Sequence, residues 1–167
     1  MLGTIRQWLE GVAGETTRKA IRVPLDAIGS RLSCQALNSA ALEINAGGGF
    51  VPQIGSSTTF RALVQGHLVT IAAGTDMPAF TTAITAASFN VVCFFVDGAG
   101  TVTSLSGVEG TTAALVKFPN FPTDKALIGF ILITYASAFT GGSTALDTAT
   151  TVYVSPVGAV DPSIVVG

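Results

Sequence analysis

Few side chains in this 167-residue chain are equipped for covalent or acid–base chemistry, and their spacing limits what that chemistry could be. The only histidine, His67, follows Gly66 in a segment that reads as a hairpin tip. A Ser-His-Asp arrangement needs a positioned nucleophile, and no Gly-x-Ser-x-Gly elbow occurs here. His67 is therefore read as a turn-exposed imidazole, since one imidazole defines neither a triad nor a metal site. The carboxylates Glu43, Asp76, Asp97, Glu109, Asp124, Asp147 and Asp161 are scattered, several close to glycine or proline, and are assigned to turns. No spacing among them pairs a general acid with a general base. The glycine-rich stretches lack a following Lys-Ser or Lys-Thr and do not open a helix, so no phosphate loop is expected. Cys34 and Cys93, 59 residues apart with one histidine between them, cannot supply a four-ligand zinc site. No Asp-x-Asp loop points to calcium. Each cysteine is expected to be a small buried hydrophobe, with a single disulfide as the alternative. The chain is expected to be no enzyme and to need no cofactor.

Charge is concentrated at one end. The first 31 residues hold Arg6, Glu10, Glu15, Arg18, Lys19, Arg22, Asp26 and Arg31, whereas residues 32–167 hold only ten charged side chains. Charged residues make up 11% of the chain, against about 25% in a typical soluble domain. So bare a surface suits a subunit flanked by neighbours better than a dilute monomer. A net charge of -2 argues against nucleic acid, which requires clustered Lys and Arg. Mean hydropathy is high, +0.61, yet the longest apolar stretch, 126–139, falls short of the roughly 20 residues a membrane helix needs. No membrane partner and no signal peptide are expected, which places synthesis in a cytoplasm.

The elements that would position any site fall into two parts, a helical arm over 1–35 and a β-rich domain over 36–167. In the arm, Ile5, Leu9 and Val12 recur at helical spacing with Trp8 beside them, predicting an amphipathic helix over 4–20. Gly11 and Gly14 weaken that helix, and Pro24 ends it, opening a second short helix with Leu25, Ile28 and Leu32 on one face. The Ile5, Trp8, Leu9 and Val12 stripe is the candidate partner-binding element. It could dock into a groove of a neighbouring protein, fold back on the chain's own sheet, or lie on a membrane surface. The rest is rich in Thr, Ala, Gly, Val and Phe, with turn signals about every ten residues, as in an all-β domain. Strands are expected at 40–45, 60–64, 68–72, 90–96, 101–105, 113–118, 128–134 and 151–155. Gln65-Gly66 and Asp97-Gly98-Ala99-Gly100 should close hairpins, and Pro119 and Pro122 should keep their segment out of a central strand.

Two of these strands are apolar on both faces. Val91, Cys93 and Phe95 alternate with Val92, Phe94 and Val96, and Ile128, Phe130 and Leu132 alternate with Gly129, Ile131 and Ile133. Such strands need cover on both sides. Either the arm or a long loop supplies it, or a second subunit does.

Three segments in order carry a resemblance. Phe94-Phe95-Val96-Asp97-Gly98-Ala99-Gly100-Thr101-Val102-Thr103 is followed by a step from Phe118-Pro119 through Pro122 and Lys125-Ala126 to Ile128-Gly129-Phe130-Ile131, then by Phe139-Thr140-Gly141-Gly142-Ser143-Thr144-Ala145-Leu146-Asp147. This order resembles a β-rich domain of tailed-bacteriophage virion structural proteins, over about residues 36–155. Members of that group are head decoration, head-fibre or minor structural proteins. The resemblance implies a virion subunit, in first place a capsid decoration or cement protein bridging major capsid subunits on the shell exterior. Such a subunit would also bind itself, most simply as a homotrimer on a local axis. The alternative is a head-fibre or tail-associated module that binds a host surface or glycans through loop aromatics such as Phe50, Phe121 or Phe139. The expected fold is a mainly antiparallel β sandwich or barrel, jelly-roll-like, of about eight strands behind an amphipathic helical arm.

Overall fold

A computed structural model describes Arg22, Leu25, Asp26, Ile28, Gly29, residues 32–45, Gly47 and residues 49–160. The β character and the antiparallel pairing are as expected. The strands are β1 (Cys34–Ala36), β2 (Glu43–Ile44), β3 (Pro52–Gln53), β4 (Phe60–Val64), β5 (His67–Ile71), β6 (Ala83–Ile84), β7 (Phe89–Val96), β8 (Val102–Ser106), β9 (Ala126–Thr134), β10 (Phe139–Thr140) and β11 (Thr150–Val154). They form a four-stranded sheet β11-β9-β7-β8, a three-stranded sheet β1-β4-β5, and two short pairs, β2-β3 and β10-β6. No barrel closes among the described residues.

Both expected hairpins form. Val64 pairs with His67 across Gln65-Gly66, whose φ values of 50° and 86° give the primed turn that matches strand twist. In the second, the Asp97 Oδ1 accepts hydrogen bonds from the Ala99 and Thr101 amides at 3.0 and 2.9 Å, and Gly100 takes φ 85°. Aspartate is thus consumed in holding its own turn.

The principal core lies between the two larger sheets. It takes Ala36 of β1, Phe60, Ala62 and Val64 of β4, and Val69 and Ile71 of β5. From the other side come Val92, Phe94 and Val96 of β7 with Ala126, Ile128, Ile131 and Ile133 of β9. β9 does not alternate as its sequence suggests. The β7–β9 register slips between Phe94 and Phe95, so Phe94 faces Gly129 while Phe95 faces Leu127. This bulge reverses the parity, bringing Ile128 onto the same side as Ile131 and Ile133 and turning Phe130 and Leu132 outward.

The outer face of β7 and β9 is covered by the chain itself. Val91, Cys93, Phe95, Leu127 and Phe130 form a second cluster with Val116, against which Phe118 and Phe121 pack. Residues 107–125 act as a strap, tied by pairing of Val108 with Lys117 and of Phe89 with Gly110. Its phenylalanines meet the sheet edge-on, Phe118 on Phe130 at 5.0 Å and Phe121 on Phe95 at 5.1 Å between ring centroids. Each such pair contributes roughly 0.5–1.5 kcal/mol beyond burial. The long-loop explanation therefore holds for these strands, and the second-subunit explanation does not, because the face is not free. Residues 113–118 are not a strand either. Ala113–Leu115 form a 3-10 turn that doubles back so that only Val116 is buried.

The bulge fixes one glycine sterically. A Cβ on Gly129 would lie 2.5 Å from the Val154 carbonyl oxygen and 2.6 Å from Leu42 Cδ1, whereas one on Gly66 meets nothing. Gly129→Ala is expected to cost about 2–3 kcal/mol by overpacking. Gly66→Ala should cost only about 1 kcal/mol, from its left-handed backbone. Urea denaturation midpoints check this, and equal losses for the two would contradict the packing around the bulge.

Candidate functional site

The expected partner-binding residues Ile5, Trp8, Leu9 and Val12 lie outside the described residues. What the structure does place is the segment joining them to the body. Arg22, Leu25, Asp26, Ile28, Gly29 and Leu32 are helical, with an Arg22–Asp26 ion pair at 3.3 Å one turn apart. The Ser33 amide closes on the Gly29 carbonyl at 3.1 Å, and β1 begins at once. Leu25, Ile28 and Leu32 are 36%, 53% and 58% exposed, so part of each apolar side chain remains open.

A second uncovered apolar surface is the outer face of the three-stranded sheet. The inward set of β4 and β5 fills the core, which leaves Arg61, Leu63, Leu68 and Thr70 facing out. Across one rung Gln35, Leu63 and Leu68 stand side by side. On the next, the Leu37 amide bonds the Arg61 carbonyl at 2.9 Å, and Arg61 is paired with Thr70. Leu37 and Leu68 are exposed and Leu63 half-buried, with Arg61 the one charged side chain among them. The sequence reading did not single this surface out, although its signal was present: leucine stands at outward positions of 60–64 and 67–71, where polar residues are the rule.

The residues with chemical potential are dispersed and serve loops. His67 opens β5 exposed, its ring lying against Gly98 of the neighbouring hairpin. The Glu43 carboxylate accepts hydrogen bonds from the Gln53 side-chain amide at 2.9 Å and the Ser56 backbone amide at 2.8 Å. Glu109 accepts from the Thr85 amide at 3.0 Å, and Asp76 from the Asn45 side chain. Asp147 lies under the Gly49 turn, and Asp161 falls outside the described residues. Among the described residues no three His, Cys, Asp or Glu side chains stand close enough to share a metal ion. Cys34 and Cys93 are free and buried, in different clusters, and burial pushes the Cys93 thiol far up.

Two hollows remain. A cavity of about 30 Å³ beside Cys34, Phe95, Phe121 and Leu127 has room for no more than a water molecule. An open hollow of about 360 Å³ is lined by Phe89, Thr134, Tyr135, Thr148 and Thr150, with no charged residue. Of the loop aromatics expected to face a host ligand, only Phe50 is exposed, because Phe139 is buried in the core and Phe121 packs in the strap cluster. Among the described residues no helix is long and apolar enough to cross a membrane.

Hydrogen bonding sets the pH response. The Gln53 amide, and after it the Ser56 amide, hold the Glu43 carboxyl below its ordinary value of 4.5. The Thr85 amide does the same for Glu109. Because the unfolded chain takes up these protons first, the stabilisation is present above about pH 4.5 and is lost as pH falls through the lowered folded values. The melting temperature should hold from about pH 7 to 5 and then drop, more gently for Glu43→Gln/Glu109→Gln. An equally steep drop in that variant would remove these two groups from the account. Ellman's reagent should titrate neither cysteine until the protein unfolds, and a rapid reaction in the native state would contradict their burial.

No family model, curated protein or solved structure matches the chain in comparisons with each.

Proposed function

We propose that this chain is a structural subunit of a tailed-bacteriophage virion, a capsid decoration or cement protein on the head exterior. Its body, a jelly-roll-like β sandwich, would contribute bulk and rigidity. The amphipathic arm carrying Ile5, Trp8, Leu9 and Val12 would make the attachment, bridging major capsid subunits. The chain would act as a homo-oligomer, most simply a trimer, with no enzymatic step.

The observation that carries this is the pattern of exposure. Leu25, Ile28, Leu32, Leu37 and Leu68 are exposed on a protein with few charges to keep copies and neighbours apart. Apolar surface of this kind is characteristic of protein contact sites. The order of the three segments between Phe94 and Asp147 supports the virion context. The host-binding alternative loses support, because two of the three aromatic residues it relies on are internal.

Co-sedimentation with capsid shells of the phage that encodes the chain tests this. The full chain should pellet with shells, and Trp8→Ala/Leu9→Asp should weaken binding at least tenfold, given that buried aromatic anchors dominate such contacts. Undiminished binding by that variant would remove the arm as the anchor. Absence of binding by the full chain would remove the decoration role.

A further inference from the structure

We propose that the open hollow at one end of the four-stranded sheet is a binding site for a neutral saccharide. The site goes beyond the attachment role and would stand without it.

The hollow is built on one rung of the sheet. Thr134 of β9 pairs with Phe89 of β7 on one side and with Thr150 of β11 on the other, so the three stand in a row across three strands. The row is open to solvent, with Thr150 exposed and Phe89 and Thr134 half-buried. Ala87, Tyr135, Ala136 and Thr148 complete the lining. At about 360 Å³ the space falls within the size range of small-molecule pockets.

The surrounding backbone is fixed by its own hydrogen bonds. The Ala87 amide donates to the Tyr135 carbonyl at 2.8 Å, which ties the turn before β7 to the end of β9. The Ser88 amide closes that turn on the Thr85 carbonyl at 3.0 Å, and the Glu109 carboxylate holds the Thr85 amide at 3.0 Å. Ala87 is thus the third residue of a tight turn with φ 61°, a position that usually selects glycine. Non-glycine residues kept in this region cluster at binding sites, where the surroundings over-determine them. In the second loop the Thr148 amide and hydroxyl both donate to the Ala145 carbonyl, at 3.2 and 2.7 Å. A site held in place beforehand loses less freedom when a ligand enters.

The lining decides the ligand class. It contains no charged residue. The ionisable groups that adjoin it, Glu109 on the Thr85 amide and Asp147 next to Thr148 in the chain, are both acidic. A phosphate or carboxylate ligand would meet like charge and no cation. A cationic ligand would find no carboxylate in the lining to pair with. A purely apolar ligand would displace water from threonine and tyrosine side chains and return no hydrogen bond. What suits the set is an uncharged ring with an apolar face for Phe89 and Tyr135 and hydroxyls for the threonines. A saccharide has both.

Titration of isotope-labelled full-length protein, followed through its amide NMR spectrum, tests the proposal. The probes are glucose, galactose, mannose and N-acetylglucosamine, each taken to about 50 mM because an open single-ring site binds weakly. At least one should give saturable shifts confined to residues 85–89, 134–136 and 148–150. Ala136 is exposed, so Ala136→Trp fills the hollow without removing buried packing. It should weaken that response at least tenfold while the rest of the spectrum stays in place. Glucuronate and cyclohexanol should give no saturable shifts at these residues. Silence from all four sugars would overturn the proposal, as would shifts elsewhere on the body or a response undiminished by Ala136→Trp. Saturable binding of glucuronate or cyclohexanol in the hollow would overturn the ligand class. Capsid shells play no part in this readout, so the site and the decoration role fail separately.

Discussion

Strands β7 and β9 are apolar on both faces, and the rest of the molecule is arranged to keep both faces dry. A two-sided apolar strand exposed on either side would leave a continuous hydrophobic surface in water, at roughly 25 cal/mol for each Å². The three-stranded sheet answers on one side, through Phe60, Ala62, Val64, Val69 and Ile71. The strap answers on the other, through Val116, Phe118 and Phe121. Neither is a long regular element, which is why so many short strands and loop bonds are needed to hold them. Glu43, Asp97 and Glu109 spend their oxygens on backbone amides in those loops. The scarcity of charge and the employment of what charge there is are two sides of one economy.

That enclosure bears on how the protein would assemble. With the central strands sealed inside the chain, the exposed apolar side chains lie at the edges and loops of the body, on the three-stranded sheet and on the segment leading from the arm. Association through these surfaces leaves the body's core untouched, so a copy can fold before it meets its neighbours. The proposed head subunit fits this division: a self-sufficient β body preceded by an N-terminal 31 residues that carry five of the eight basic side chains.

Much of this was legible in the residues. The long hairpin strands, both turns and the demand for cover on two faces were visible, because alternation, glycine position and the Asp-Gly turn act locally. The strand at 113–118 was misread because the apolar run ending in Val116 and Phe118 resembles a strand but sits on a strap that turns back at Gly110, where no side chain fits against the Leu115–Val116 backbone. The alternation of β9 was misread because a bulge at Ile128 and Gly129 is decided by the partner strand's register. β1, β3, β6 and β10, two or three residues each, are held by distant partners and leave no periodic trace. The outer leucines of the three-stranded sheet were visible as a breach of alternation, but in isolation Leu63 and Leu68 look like ordinary core residues. Only the register shows that they stand side by side on the face away from the core.

The division between a sealed body and a contacting arm is tested most directly by amide hydrogen exchange on the full-length protein, free and bound to capsid shells. Residues 91–95, 107–125 and 127–131 should exchange identically in the two states, already protected where buried, while new protection appears before residue 33. New protection confined to the strap and to the outer faces of β7 and β9 would contradict the account, since it would mean that the strap opens and that those strands are the contact surface.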